Sequence, residues 1–298
     1  TTLANKIDRF VNEKRDIMKT GLVLEGGAMR GLYTAGVLDI FNDNNIKVDG
    51  VIGVSAGVIH GINYVSGQRG RSIRYTLKYR KDKRYMSFRS LLKTGNMVET
   101  EFCYHEIPEK LDPFDNQAFM DSGIDFYSVC SNVETGKAEY IKCTDLFKQI
   151  DVIRASASMP FVSQIVETEG FKLLDGGVCD SVPVKKFMEM GYDRLIVVLT
   201  KPKGHVPKPN SPIMSRKKYG EYPNFVDALI TRHLRYAENL RYVNEMEDNG
   251  QILVIRPSRK VKISRMEKNL ARIWEMYDLG RNDAKNRIDE VKQWLQKQ

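Results

Sequence analysis

Val51-Ile52-Gly53-Val54-Ser55-Ala56-Gly57 is the stretch on which the fold turns. Its first four residues form a short apolar run, the mark of a strand buried on both faces. Residues 56–65 are apolar and rich in small side chains, as a helix packed closely on a sheet must be. A serine between such elements, in the pattern G-x-S-x-G, sits on a nucleophile elbow. The turn is tight, so its neighbours must be small. It lifts the hydroxyl clear of the backbone and places it at a helix N-terminus, where the helix dipole favours developing negative charge. The competing assignment is a strand-to-helix turn whose glycines serve packing alone.

Upstream, Gly21-Leu22-Val23-Leu24-Glu25 reads as another buried strand, Gly26-Gly27-Ala28-Met29-Arg30-Gly31 as a glycine-rich turn, and 32–41 as a buried helix. Strand, loop and helix repeat in that order, which predicts an α/β fold with a parallel sheet and right-handed crossovers. Downstream, 124–130 and 137–143 read as strands joined at Glu134-Thr135-Gly136. A helix capped by Thr144 is expected to run to about 157, followed by strands at 171–175 and 195–199. The five prolines of 201–223 indicate a long loop. A helix over 224–248, a strand over 252–255 and one or two amphipathic helices over 265–295 complete the chain. Residues 1–20 read as an amphipathic N-terminal helix packed on the domain.

Two further motifs follow predicted strands, where open α/β sheets bind ligands. Consecutive glycines in 26–31 let backbone N–H groups converge on an anion, and such donors stabilise an oxyanion. A dinucleotide-binding turn would need glycine at Ala28 and an acid at the end of the second strand, where Ser55 stands instead. A phosphate-binding P-loop is excluded because no Gly-Lys-Ser/Thr follows. In Asp175-Gly176-Gly177 a carboxylate ends a strand and can reach across to Ser55. Asp-Gly is also a common turn dipeptide, so taken alone the motif is a turn. With the other two motifs beside it, Asp175 is the expected base. Arg30 has two readings: a cation that orients the loop or a substrate phosphate, or a structural arginine on loop carbonyls. The second is the plainer.

The motifs 22–31, 53–57 and 175–177, with Ala155-Ser156-Ala157-Ser158-Met159-Pro160 before the last strand, resemble those of the patatin-like phospholipases. The resemblance covers about residues 20–200. It implies a three-layer α/β/α sandwich with a mainly parallel central sheet, and a catalytic domain over 21–204. It also implies lipid acyl hydrolase activity of the phospholipase A kind, through a Ser55–Asp175 dyad with oxyanion donors around Gly27, Ala28 and Met29. Ala28 departs from the family, which usually has a third glycine there. Its Cβ restricts the backbone but leaves the N–H in place. The basic, mostly helical 205–298 region looks like the C-terminal extension of bacterial patatin-like proteins, packed on the catalytic domain.

A Ser-His-Asp triad needs a histidine beside Ser55. The four histidines are His60, His105, His205 and His233. His60 follows Ser55 in the same helix and projects from a different face. The others lie in segments without a motif, and His205 lies in the proline-rich loop. The α/β-hydrolases also place their nucleophile after more strands than precede Ser55.

With 42% hydrophobic and 29% charged residues the composition is that of a soluble globular chain. No apolar run reaches the ~18 residues of a membrane span. The charged N-terminus has no signal-peptide pattern, and the cysteines form no CxxC pair. A reducing, cytoplasmic setting is expected, with no metal or cofactor. The formal charge of +9 favours anionic partners. Ten Lys or Arg between 69 and 93, interleaved with Tyr75, Tyr79, Tyr85 and Phe88, and seven in 256–272 suit peripheral contact with an anionic membrane. The same segments also read as a lid or a solvated face. No nucleic-acid motif accompanies them. A soluble esterase acting on small acyl esters, or a non-catalytic lipid-binding protein of the same fold, are the alternatives.

Overall fold

Along the first strand Leu22 and Leu24 point into one hydrophobic cluster and Val23 into another. The same division separates Ile196 and Val198 from Leu195 and Val197, and Leu253 and Ile255 from Ile252 and Val254. Period-2 side chains that are apolar on both faces demand a cover on both faces. This is why the sequence shows runs without polar alternation, and why the sheet becomes the middle layer of three.

The computed structural model describes residues 18–296. The helix expected over 1–20 lies outside them, except that Lys19 and Thr20 already belong to a strand. The strands are β1 (Lys19–Leu24), β2 (Gly50–Val54), β3 (Asp125–Asn132), β4 (Ala138–Cys143), β5 (Val166–Thr168), β6 (Phe171–Asp175), β7 (Tyr192–Val198) and β8 (Ile252–Ile255). Their order is β5-β6-β3-β2-β1-β7-β8, with β4 also paired to β3. β3-β2-β1-β7-β8 is parallel throughout, while β4 and β6 run antiparallel to β3 and β5 antiparallel to β6. The sheet is therefore mainly parallel with one antiparallel flank. The register sets Leu24 beside Gly53 and Cys130 beside Asp175, so the ends of β1, β2 and β6 gather at one edge.

The helices in chain order are α1 (Leu32–Asp43), α2 (Ala56–Val65), α3 (Arg71–Tyr79), α4 (Phe88–Thr94), α5 (Asn116–Met120), α6 (Ile150–Ser156), α7 (Val184–Glu189), α8 (Pro212–Tyr219), α9 (Pro223–Asp248), α10 (Leu270–Asn286) and α11 (Ile288–Gln296). A π-helical segment spans Phe102–Leu111. Side chains of α1, α2, α6 and α10 fill one cluster, and those of α7 and α9 fill the other. The 205–298 region thus contributes to all three layers: β8 extends the sheet beyond β7, α9 covers one face and α10 the other. α10 crosses α1 at glycines. A Cβ on Gly36 would stand 2.2 Å from the Tyr277 carbonyl oxygen, and one on Gly280 would stand 2.1 Å from that of Tyr33. Only glycine lets the two backbones approach so closely.

Two local expectations are corrected. The 201–223 stretch is not all loop, because α8 forms inside it. Pro212 takes the first helical position and Ser211 caps the helix by accepting from Met214 N, so that proline starts a helix instead of breaking one. The helix expected from Thr144 begins only at Ile150. The Gln149 side chain reaches back to accept from Thr144 N at 2.8 Å and holds a turn there. The basic 69–93 segment folds as two helices, α3 and α4.

Candidate active site

β2 delivers its chain directly into α2 through Ser55, whose φ of 55° and ψ of −120° lie where L-residues are rare. Such a conformation costs about 1–3 kcal/mol and persists only when the surroundings enforce it. Here the enforcement is steric. A Cβ on Gly57 would fall 2.3 Å from the Leu24 carbonyl oxygen, and one on Gly53 would fall 2.8 Å from Val58 N. Ser55 N donates to Ser156 Oγ at 2.9 Å, and that hydroxyl donates to the Val129 carbonyl at 2.6 Å. Ser156 thus ties the elbow to β3. It belongs to the Ala155–Pro160 motif, but the sequence offers no sign of this bond.

Asp175 ends β6 on the far side of β3. Ser55 Oγ donates to its Oδ2 at 2.5 Å, and Gly177 N donates to its Oδ1 at 2.8 Å. The Asp175 main chain is fixed at both ends: its N–H donates to the Ser158 carbonyl at 2.9 Å, and its carbonyl accepts from Ser131 Oγ at 2.8 Å. Gly176 is required because a Cβ there would lie 2.1 Å from the Val129 carbonyl oxygen. Burial pushes the carboxyl above its ordinary value, opposed by the hydrogen bonds from Ser55 and Gly177 and by the charges of Arg232 and Arg265. The carboxylate is thereby a stronger base than an exposed aspartate.

Among the described residues no histidine is hydrogen-bonded to either residue. His60 Nδ1 pairs with Ser72 Oγ at 3.0 Å, and burial holds its pKa near 4. His105 pairs with Glu109, and His233 with the Ile230 carbonyl. His205 lies against the Tyr236 ring, 6.0 Å between centroids.

The glycine-rich loop packs against the elbow. A Cβ on Gly26 would meet Ser55 Cβ at 2.9 Å, and one on Gly31 would meet Ala56 Cβ at 2.6 Å. Gly27 has φ 175° and ψ 13°, and a single 3-10 turn, Ala28–Gly31, leads into α1. Ala28 has φ 49°, in the left-handed region that favours glycine. Before the loop stands Glu25, a buried acid that escaped the sequence reading. Its carboxylate accepts from Thr200 N and Thr200 Oγ1, at 2.5 and 2.8 Å, and from the Tyr236 hydroxyl of α9. Among the described residues the Arg30 side chain makes no hydrogen bond to a loop carbonyl, and its Nε is buried without a partner.

Residues 22–188 match the family described as Patatin-like phospholipase. The chain belongs to the patatin-like phospholipase family. Residues 222–296 match a separate domain of unknown function, DUF6363. Among curated proteins, "Uncharacterized protein YjjU" of Escherichia coli (strain K12) is 31% identical over 192 residues, which are 62% of this chain and 52% of that protein. "Lysophospholipase nte1" of Emericella nidulans is 26% identical over 184 residues, 60% of this chain and 12% of that protein. The chain thus spans about half the length of the first and a small part of the second. VipD from Legionella pneumophila aligns over 92% of this chain and 67% of its own at a TM-score of 0.44 and 12% identity, too distant to argue from.

Two cavities meet at Ser55, which lines both together with Ala28 and Met159, and Asp175 lines one of them. The larger has a volume of about 1090 Å³, including space open to solvent, and is walled by apolar side chains such as Ile59, Tyr75, Met86, Ile107, Ile153 and Met159. Its outer wall comes from α3, the 85–86 turn and the π-helical segment. The inner face of the basic 69–93 segment is therefore cavity wall. Arg71, 4% exposed, is locked there by Asp112, through two bonds to its carbonyl and an ion pair at 3.3 Å. The smaller cavity lies on the Asp175 side and is polar, lined by Glu25, Arg30, Lys201, Arg232 and Arg265 among others. Three of these cations lie beyond residue 188, outside the patatin-like match. Among the described residues no helix is long and apolar enough to cross a membrane.

Proposed function

We propose that this protein hydrolyses acyl esters of lipids, in the manner of a phospholipase A, with Ser55 as nucleophile and Asp175 as general base. One observation carries the reading: Ser55 Oγ donates to Asp175 Oδ2 at 2.5 Å beside an apolar cavity able to take an acyl chain. Asp175 accepts the Oγ proton as Oγ attacks the ester carbonyl carbon. The N–H groups around Gly27, Ala28 and Met29 stabilise the oxyanion. The C–O bond then breaks and the alcohol leaves with the proton from Asp175. Water attacks the acyl-serine, gives a proton to Asp175 and releases the fatty acid, and that proton returns to Ser55. The 205–298 region acts as part of this unit, since Tyr236, Arg232 and Arg265 border the same site.

A peripheral membrane encounter accompanies this reading. α4 exposes Phe88 at 65% and Leu92 at 89%, flanked by exposed Arg89 and Lys93. Among the described residues Lys78, Lys81, Lys83, Arg89 and Lys93 are in no ion pair, whereas Arg69, Arg71, Arg74 and Arg84 each hold an acid. In 256–272, Arg256, Arg259 and Arg272 are likewise paired, which leaves that run a weaker contact. Apolar side chains set among unpaired cations suit an anionic lipid surface.

The test is fatty-acid release from phospholipid vesicles alongside hydrolysis of p-nitrophenyl acyl esters. Release from both, lost in Ser55→Ala, is expected. Turnover of the small esters alone would favour a soluble esterase, and turnover of neither would favour a lipid-binding protein.

A further inference from the structure

The polar cavity holds more positive charge than its own acids neutralise. Arg30, Lys201, Arg232 and Arg265 line it together with Glu25 and Asp175. Among the described residues none of these four cations is in an ion pair. Nor are the two carboxylates hydrogen-bonded to them: Glu25 is taken by Thr200 and Tyr236, and Asp175 by Ser55 and Gly177. Lys201 Nζ donates to the Tyr236 hydroxyl at 2.9 Å, and Arg232 Nε donates to the Gly177 carbonyl. Arg265 is exposed and makes no hydrogen bond among the described residues, and Arg30 Nε is buried without a partner. Gathering like charges in a partly desolvated cleft is costly unless an anion joins them.

From this arrangement we infer that the polar cavity is a binding site for a phosphate group, and that the region of unknown function, through Arg232 and Arg265, supplies half of its cations. Guanidinium forks match the geometry of phosphate oxygens, and an ammonium adds a point charge. The titration behaviour agrees. Burial lowers Lys201 to about 8, with Arg30, Arg232 and Arg265 adding to the effect, and Arg30 is lowered by burial and then by Arg265. Each of these strains is relieved by a bound anion. The position matters as well. An ester whose carbonyl lies at Ser55, with its acyl chain in the apolar cavity, directs its alcohol portion into the polar one. This deepens the hydrolase reading and rests on it for the source of the phosphate, which is either the substrate's headgroup or free phosphate.

Binding is measured without catalysis by titrating glycerol 3-phosphate and inorganic phosphate into the Ser55→Ala protein by calorimetry. Both are expected to bind. Adding Arg265→Gln should weaken them at least tenfold, while Arg265→Lys restores most of the affinity. Arg265 is exposed, so its replacement leaves the fold in place. No binding, or equal binding in the Arg265→Gln protein, overturns the inference whatever the catalytic outcome. The second arm compares kcat/KM for lysophosphatidic acid and for monoacylglycerol of the same chain. A ratio that falls at least tenfold in Arg265→Gln identifies the phosphate as the substrate's. A ratio that stays constant while phosphate binding is lost leaves the site standing and identifies it as one for free phosphate.

Discussion

Replacing Ala28 by glycine tests whether the loop beside Ser55 is held in the conformation described. Ala28 has φ 49°, and an L-residue in the left-handed region pays roughly 1–2 kcal/mol that glycine does not. Glycine in turn loses more freedom on folding, which costs about 0.4–1 kcal/mol. The strain relieved exceeds the entropy added, so Ala28→Gly should stabilise the protein by about 0.8 kcal/mol. For a chain of 298 residues that raises Tm by about 1 °C. Differential scanning calorimetry reads the shift directly. The residue-28 N–H is retained, so ester kcat/KM should stay within about threefold, against the 10²–10³ typical of a lost oxyanion donor. Ala28→Val should act the other way, because a β-branched residue at positive φ is strongly disfavoured. A lower Tm in the glycine variant would refute the argument from strain. A hundredfold change in kcat/KM would refute the assignment of residue 28 as a backbone donor alone.

Four other outcomes follow. Burial raises the Asp175 carboxyl, so the folded protein holds that proton more tightly than the unfolded chain, and stability falls as pH rises from the ordinary carboxylate range through the raised value; Asp175→Asn should therefore unfold at a higher temperature than wild type at pH 7 while losing about 10³-fold or more in kcat, by analogy with triad losses. The acid limb of wild-type kcat/KM should accordingly sit above the ordinary aspartate range, and a limb within that range would remove the burial argument. Arg71→Met removes two bonds to the Asp112 carbonyl and one to Asn63 Oδ1 while Arg74 still grips both oxygens of the Asp112 carboxylate, so it should cost about 1–3 kcal/mol in urea unfolding from buried acceptors left unsatisfied, whereas a loss under about 0.5 kcal/mol would place Arg71 among the dispensable surface charges. Val98→Trp, in the apolar cavity wall, should lower kcat/KM for long-chain esters at least tenfold more than for acetate esters, and an equal loss would mean that the acyl chain lies elsewhere.

The strands and the elbow were legible because their demands are local. Runs such as 51–54 and 195–198 must be covered on both faces, and Gly53, Gly57 and Gly176 stand where a Cβ would strike a neighbouring backbone. The approach of Asp175 to Ser55 was legible only as one motif of a set, since it depends on β6 pairing with β3. Ala28 stood out by composition, but its φ did not. Tyr236, Arg232 and Arg265 were hidden because their place at the site is set by how α9 and the chain before α10 fold back, which has no signature of spacing. The basic 69–93 segment misled in part, because charge counting cannot separate Arg71, buried against Asp112, from Lys93, facing solvent.

The most direct test of the central claim is labelling by a fluorophosphonate, which reacts with a serine only where a base and an oxyanion site activate it. One equivalent per chain on the wild-type protein, mapped to Ser55 by mass spectrometry and absent in both Ser55→Ala and Asp175→Asn, is the predicted result. Full labelling of Asp175→Asn at the wild-type rate, or modification of a serine other than Ser55, would contradict it.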